Sequence, residues 1–512
     1  MASSSLTAAT LGQTLLARGA NAFDVAIATA LAEGVALPWA CGLGGDLFAL
    51  LYHSESGRFT CIDAAGPAPS RLPFQVVGPS ARGSLHLQGG VGVTIPGALD
   101  GLLLLHERFA TLPLPDLFQP AIDLAAGGIV DTPGQSRRLA LGARLLGPRG
   151  QQLAQPGVAA KPRVNEALAK TLLAIATGGG DRFYRGDLTS SMVTTLQDHG
   201  SAVTTADFAR FQARLVEPLR ASYRGAMILQ TPPPSQGVTL LQTLKILEGY
   251  PPARLATITA DAIHLTVEAH KLALADRVRH LADPRVVDVP VEDLLSTRQI
   301  RAHQEQIRPH QAAPARHLTA DGDTTVLSVV DAAGNAAVLV HSLAGVWGSG
   351  IVAGDLGFVF NNRGTRGFNP RRDSPIAGAR PPHTLHAFMV LDRERPRLIG
   401  GTPGGDLGLQ WSVQVLCQVL DGGAAPLAAV QTPKWHSFPG ADPTHQHLSL
   451  ELQVEDRVPA RLVEALRALG HPVRMIEPWG AASSFQMIEP GRPTEQPRGI
   501  TDPRDDGAAL RA

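Results

Sequence analysis

The sequence is poor in cysteine: Cys41, Cys61 and Cys417 are three in 512 residues, scattered and without CxxC spacing. That excludes a disulfide framework and a cysteine-built zinc site. Aromatic residues make up 5%, too few for the stacking platforms that hold single-stranded nucleic acid. Neither sign of charge is in excess, with 45 Lys+Arg against 45 Asp+Glu, so nothing points to a polyanionic partner. Lysine is scarce beside arginine, a bias that reads as a GC-rich coding sequence and not as a nucleic-acid surface. Long hydrophobic runs are missing too. Met1-Ala2-Ser3-Ser4-Ser5-Leu6 has no basic region leading into an apolar one, and the first extended apolar pattern carries Arg18, Asn21 and Asp24. It is neither a signal peptide nor a membrane span, and a cytoplasmic protein is expected.

What remains is an ordinary globular composition, 44% hydrophobic, in a chain long enough for one large or two moderate domains. No internal repeat, coiled coil or low-complexity domain is visible. Leu11 to Ala32 carries helical spacing, with Asn21 and Asp24 as caps of a second helix. Cys41-Gly42-Leu43-Gly44-Gly45-Asp46 precedes an apolar strand, Leu47–Tyr52; with no Lys and no helix after it, it is a poor phosphate loop. Pro96-Gly97 opens a helix, Asn165–Thr177 and Ser190–Asp198 are amphipathic, and Thr205-Ala206-Asp207 is expected to cap a helix through Phe211.

Further helices are expected over Val238–Leu247, Ala260–His280 and Trp411–Leu420, and strands over His386–Leu391 and Pro396–Gly401. Ile300–Asp323 is polar and aperiodic, which predicts a solvated loop. His445–Met487 alternates strand and helix. His445 and His447 put two imidazoles on one strand face, but no third ligand accompanies them, so a surface strand is expected there and no metal.

The most informative stretch is Gly322-Asp323-Thr324-Thr325-Val326-Leu327-Ser328-Val329-Val330-Asp331. Its apolar residues alternate as in a half-buried strand, Asp331-Ala332-Ala333-Gly334-Asn335 supplies a turn, and Ala336–Val340 returns. Alone this is only a hairpin, because Thr is a common strand residue. Gly348-Ser349-Gly350, Asn361-Asn362, Arg380-Pro381, Pro403-Gly404-Gly405 and Asp502-Pro503-Arg504 follow it in that order.

Together these motifs resemble the small subunit of the γ-glutamyltransferase family of N-terminal-nucleophile hydrolases, and the likeness runs nearly end to end. The resemblance implies an α+β fold, a four-layer αββα sandwich in which the segments 1–323 and 324–512 form one intertwined unit. It also implies a precursor that cuts itself between Asp323 and Thr324. The chemistry accounts for a threonine there. A hydroxyl needs a neighbouring base to act as a nucleophile. Cleavage would free an α-amino group, of ordinary pKa about 8, one covalent step from the Thr324 hydroxyl.

Carried over residue by residue, the resemblance makes Thr324 the nucleophile, Ser342 the assisting hydroxyl, and Gly404 and Gly405 the amides that hold the oxyanion. The substrate positions depart from the family pattern. The arginine that holds a glutamyl α-carboxylate is replaced by Ala65, and two helping serines by His383 and Thr384. The groups that hold the α-amino function are replaced by Ala344, Arg363 and Arg366. Arg363 and Arg366 would repel an ammonium and suit a carboxylate on the acyl group; a solvated loop is the alternative for both, more so for Arg366. The family's usual His after the second Thr is Val326.

The expectation is therefore a cofactor-free Thr hydrolase of an amide or related acyl bond in a small carboxylated substrate, closest to the family's amidohydrolase and acylase branch. Its only protein partner would be the other fragment of its own precursor, with no nucleic acid or membrane involved. Alternatives are a γ-glutamyl hydrolase or transferase with a rebuilt pocket, hydrolytic C–C cleavage next to a dicarbonyl acyl group, and an unprocessed scaffold relative.

Overall fold

The structure, a computed structural model, describes residues 1–71, 89–147, 150–313, 323–366, 376–438, 450–491 and 495–512. Among them no helix is long and apolar enough to cross a membrane. Gly322, residues 371–375 of the loop before Arg380, and the pair His445 and His447 lie outside the described residues.

Two sheets form the centre. The first has seven strands in the spatial order Ala508–Ala509, Ala2–Ser3, Asp323–Val330, Ala336–Ala344, Asp46–His53, Arg58–Ala64 and Arg214–Val216. The second has six: Arg498–Thr501, Gln486–Glu489, Arg395–Gly401, Phe388–Asp392, Ala226–Gln230 and Leu219–Tyr223. All pairings within these two sheets are antiparallel. Residues before and after Thr324 contribute strands to both, so the chain is one intertwined unit.

Side-chain alternation explains the layers. Along Asp46–His53, Phe48 and Leu50 point into an apolar cluster shared with Leu229, Met389 and Ile399 of the other sheet. Leu47, Ala49 and Leu51 point the opposite way, onto the helices Ala22–Ala36, Ala98–Phe109 and Leu114–Gly127. The six-stranded sheet is covered likewise, with Ile228, Val390 and Leu398 against the helices Gly237–Leu247, Ala260–His280 and Gly405–Leu420. The result is helix, sheet, sheet, helix. An apolar strand with no polar face is what such double coverage requires, and each fully buried Leu or Phe contributes about 1.5–3 kcal/mol.

Several expectations shift. A third sheet, Trp435–Phe438, Glu451–Glu455 and Val473–Ile476, lies apart from the central pair and contains a parallel pairing. Asn21 and Asp24 do cap Ala22–Ala36, in a reciprocal capping box. Thr205, however, is the first residue of its helix; Thr204 is the cap, with Asp207 returning the bond. The helix expected from Trp411 begins at Gly405. The expected loop after Ile300 is partly ordered: Thr297–Gln304 is helical with Ile300 and His303 buried, and the Ala312 amide donates to Leu469 O at 2.7 Å. Residues 314–322 lie outside the described residues.

Candidate active site on the central hairpin

The strands Asp323–Val330 and Ala336–Ala344 pair in the expected hairpin, but the ladder shifts register between Asp323 and Thr325. Thr324 stands at that irregularity, a device that re-aims a side chain at a strand end. Its side chain is 6% exposed, and Oγ1 donates to Ser342 Oγ at 3.1 Å. Ser342 Oγ also accepts the Ala344 amide at 2.8 Å. Ala344 holds φ = 79°, a left-handed conformation that costs a residue with a Cβ about 1–2 kcal/mol. Its strain sits directly beside the candidate nucleophile.

Behind Ser342 the run Cys41–Asp46 packs closely. A Cβ on Gly45 would lie 2.5 Å from Ser342 O, so only glycine fits. Asp46 follows and pairs in register with Ser342. Thr324, Ser342 and Asp46 thus form a row across three neighbouring strands, on the face that carries Val340 and Phe48 between the sheets.

Gly404 and Gly405 lie in the other sheet's half of the fold, three and four residues past the end of the strand Arg395–Gly401. They take φ = 116° and 58°, and a Cβ on Gly404 would meet Trp411 at 2.4 Å. Gly404 caps the helix Gly405–Leu420, so the backbone amides here belong to a helix start, where N–H groups lack intrahelical partners. Gln236 ties this turn to its surroundings, donating to Gly405 O at 3.1 Å, to His386 Nδ1 at 3.3 Å and to Thr384 O. Burial holds the His386 imidazole down to about 4, which keeps it neutral and able to accept.

The arginine expectation meets a different environment from the one the sequence implied. Arg363 opens the short 3-10 helix Arg363–Arg366 and is 0% exposed, so it is not a solvated loop residue. Its Nε lies 3.5 Å from Asp46 Oδ2, and Nη1 donates to Thr384 Oγ1 at 3.4 Å. His383 is also buried, its Nε2 3.9 Å from Asp46 Oδ2 and its ring edge-on to Phe48 at 5.2 Å. Asp46 Oδ1 accepts the Gly66 amide at 2.7 Å. Burial pushes the Asp46 carboxyl up to about 6, with Arg363 pulling the other way. The side chain of Arg366 lies outside the described residues.

Ala65 is buried beside this group, where its neighbours Asp63 and Arg380 form an ion pair. Arg380 also reaches Asp283 at 3.0 Å. Thr324 does not line the 200 Å³ cavity that opens beside Pro67 and Ala68 under Arg210 and Arg285.

On the helix-covered face of the same sheet, His341 Nε2 lies 2.7 Å from Glu33 Oε2, both buried. Glu33 also accepts Ser3 Oγ at 2.6 Å and the Ser4 amide, and Ser4 Oγ bonds the backbone of Val326. Glu33, Cys41 and His341 would suit a metal by type, as would His264, Glu268 and His471. In both groups the donor atoms are already engaged: His341 with Glu33, His264 with His471 at 2.8 Å, and Glu268 with Lys271 at 2.6 Å. They read as internal polar networks.

Sequence reasoning passed over Asp46, Gln236 and Glu33. Asp46 closed the glycine run already singled out, and a carboxylate opening an otherwise apolar buried strand was the available signal.

Known proteins share this architecture. The sequence pattern of the family described as Gamma-glutamyltranspeptidase matches residues 8–512. The "Glutathione hydrolase-like YwrD proenzyme" of Bacillus subtilis is 31% identical, over 98% of this chain and 95% of its own length. The "Oxamate amidohydrolase proenzyme" of Klebsiella pneumoniae is 30% identical, over 97% and 95%. Among solved structures, cephalosporin acylase from Bacillus halodurans superposes with a TM-score of 0.90 at 28% identity, covering 100% of this chain and 95% of that one.

Proposed function

The chain belongs to the gamma-glutamyltranspeptidase family, and on that premise we propose a self-processing Thr hydrolase that cleaves an amide or related acyl bond in a small carboxylated substrate. The observation that carries the proposal is the 3.1 Å contact between Thr324 Oγ1 and Ser342 Oγ at the strand irregularity. In the precursor the Thr324 hydroxyl attacks the carbonyl of Asp323, the Asp323–Thr324 C–N bond breaks to leave an ester and a free amine, and water hydrolyses that ester to give fragments 1–323 and 324–512. In the mature enzyme the new α-amino group of Thr324 takes the hydroxyl proton as the oxygen attacks the substrate carbonyl. The amides of Gly404 and Gly405 hold the resulting oxyanion, worth about 2.7–4 kcal/mol per donor in comparable sites. Protonation of the leaving amine and attack by water complete the cycle. No step calls for a cofactor.

The acyl subsite is assigned to Arg363, Arg366, His383 and Thr384. The replacements at Ala65 and Ala344 remove partners for a glutamyl α-amino acid, and the cationic Arg363 favours a carboxylate. The names of the oxamate amidohydrolase and cephalosporin acylase relatives support this branch. The glutathione hydrolase-like relative, of similar identity, supports the second reading, a γ-glutamyl hydrolase.

Parallel assays of glutaryl-p-nitroanilide, oxamate and γ-glutamyl-p-nitroanilide decide between them. The first reading expects turnover of at least one of the two acids that lack an α-amino group, with the γ-glutamyl compound slow. Robust γ-glutamyl release with transfer to glycylglycine would overturn it and establish the second.

A further inference from the structure

The acyl subsite is built from three separate pieces of chain, and one carboxylate touches all of them. Asp46 Oδ1 accepts the Gly66 amide at 2.7 Å, which fixes the segment carrying Ala65. Its Oδ2 faces Arg363 Nε at 3.5 Å and His383 Nε2 at 3.9 Å. Thr384, next in the chain, accepts from Arg363 at 3.4 Å. Gly66 is 20 residues from Asp46 in the chain, but Arg363 and His383 are more than 300 away, and nothing in their own local structure sets their mutual distance.

The backbone makes the arrangement rigid. Asp46 is held in ladder register with Ser342, whose hydroxyl meets Thr324. Gly66 has no room for any other residue, since a Cβ there would lie 1.6 Å from Ile95 O. The His383 amide donates to Pro234 O at 2.7 Å, and its ring packs on Phe48, two residues along the strand from Asp46. Asp46, Arg363 and His383 are all 0% exposed. A buried guanidinium needs a countercharge, and Asp46 supplies one to Arg363 from the strand position that pairs with Ser342.

We infer that Asp46 is the positioning residue of the acyl subsite: it holds Arg363, His383 and the Ala65–Gly66 backbone in fixed geometry beside the Thr324–Ser342 pair, and so sets the preference for an anionic acyl group over a neutral one. This rests on the hydrolase reading above and deepens it. Asp46 touches no reacting atom in this scheme. It acts through Arg363, the residue to which the hydrolase reading assigns the acyl carboxylate. The further titratable groups near Asp46 are Asp63 and Tyr184, and both are anchored elsewhere, Asp63 on Arg380 and the Tyr184 hydroxyl, kept protonated by burial, on Pro96 O.

The test compares wild type with Asp46→Asn, which keeps an acceptor for the Gly66 amide and removes the charge. Each is assayed on glutaryl-p-nitroanilide and on butyryl-p-nitroanilide, a neutral acyl group of similar length. Fragment formation on a denaturing gel is followed in parallel. In Asp46→Asn we expect normal fragments, a KM for the glutaryl substrate raised about ten- to hundred-fold, and a butyryl kcat/KM within about threefold of wild type. Should Asp46→Asn fail to fold, the double variant Asp46→Asn/Arg363→Gln removes both charges together and carries the same comparison. Where the single variants are all soluble, the double variant should lose no more than Arg363→Gln alone, because the two residues act as one unit.

Equal losses on glutaryl and butyryl substrates, or additive losses in the double variant, overturn the positioning role. An unchanged glutaryl KM overturns it as well. Failure of the underlying hydrolase reading looks different: wild type itself would form no fragments, or would turn over neither anilide nor oxamate.

Discussion

The Thr324 hydroxyl donates to Ser342 Oγ at 3.1 Å, across the first pair of the central hairpin. Ser342 has no exposed surface and its oxygen also accepts the Ala344 amide, so its orientation is fixed from two sides. In the proposed mechanism, a hydroxyl held this way orders the attacking oxygen in both precursor and mature enzyme.

Ser342→Ala removes that acceptor and leaves the strand intact. A neutral hydrogen bond of this kind contributes about 0.5–1.5 kcal/mol, which corresponds to a slowing of about two- to tenfold. Fragment formation and kcat should both slow by that factor, with KM nearly unchanged. A time course of precursor disappearance, read beside steady-state rates, checks it. A change in KM alone would assign Ser342 to substrate binding.

Ala344 holds φ = 79° with a methyl group where glycine is at ease. Ala344→Gly relieves the strain but loosens the unfolded chain, so the net gain should be about 0.5–1 kcal/mol. Ala344→Val, β-branched, should lose more than that. Urea unfolding midpoints compare the three proteins. A destabilised glycine variant would show that the methyl group packs more favourably than its backbone costs.

Glu33 and His341 lie 2.7 Å apart beneath the nucleophile strand. Burial lowers the imidazole pKa, but Cys41 and Glu33 more than reverse this and raise it to about 10. A raised folded-state value means that the stabilisation is complete below the unfolded histidine value, about 6.5, and is lost as pH rises through 10. Glu33→Gln should therefore cost about 3–5 kcal/mol at pH 6, and the difference from wild type should shrink steadily between pH 7 and pH 10. The variant also weakens the hold of Glu33 on Ser3 and Ser4, which brace Val326. A stability difference independent of pH over this range would mean that His341 is neutral in the folded protein.

Much of this was legible in the sequence. Alternation from Val326 to Val330 and the Asp331–Asn335 turn predicted the hairpin, and the order of the glycine and arginine motifs predicted the family and its layers. Both follow from local periodicity or from chemistry that needs particular residues. The location of Arg363 was legible only as a charge. That it is buried against Asp46 depends on the crossing of two segments more than 300 residues apart in the chain, which no local pattern encodes. Glu33 was hidden for the same reason, as a lone acid on a helix that is buried nearly all round. Thr297–Gln304 was missed because its stripe is narrow: only Ile300 and His303 are buried, so the apolar period is too sparse to see.

The most direct test of the central claim is the intact mass of the purified protein, with N-terminal sequencing of what is found. The account predicts two fragments, residues 1–323 and 324–512, the smaller beginning Thr-Thr-Val-Leu-Ser, and a single uncut chain for Thr324→Ala. A wild-type protein that stays whole while turning over substrate would contradict it, because Thr324 would then have no free amine to act as its base.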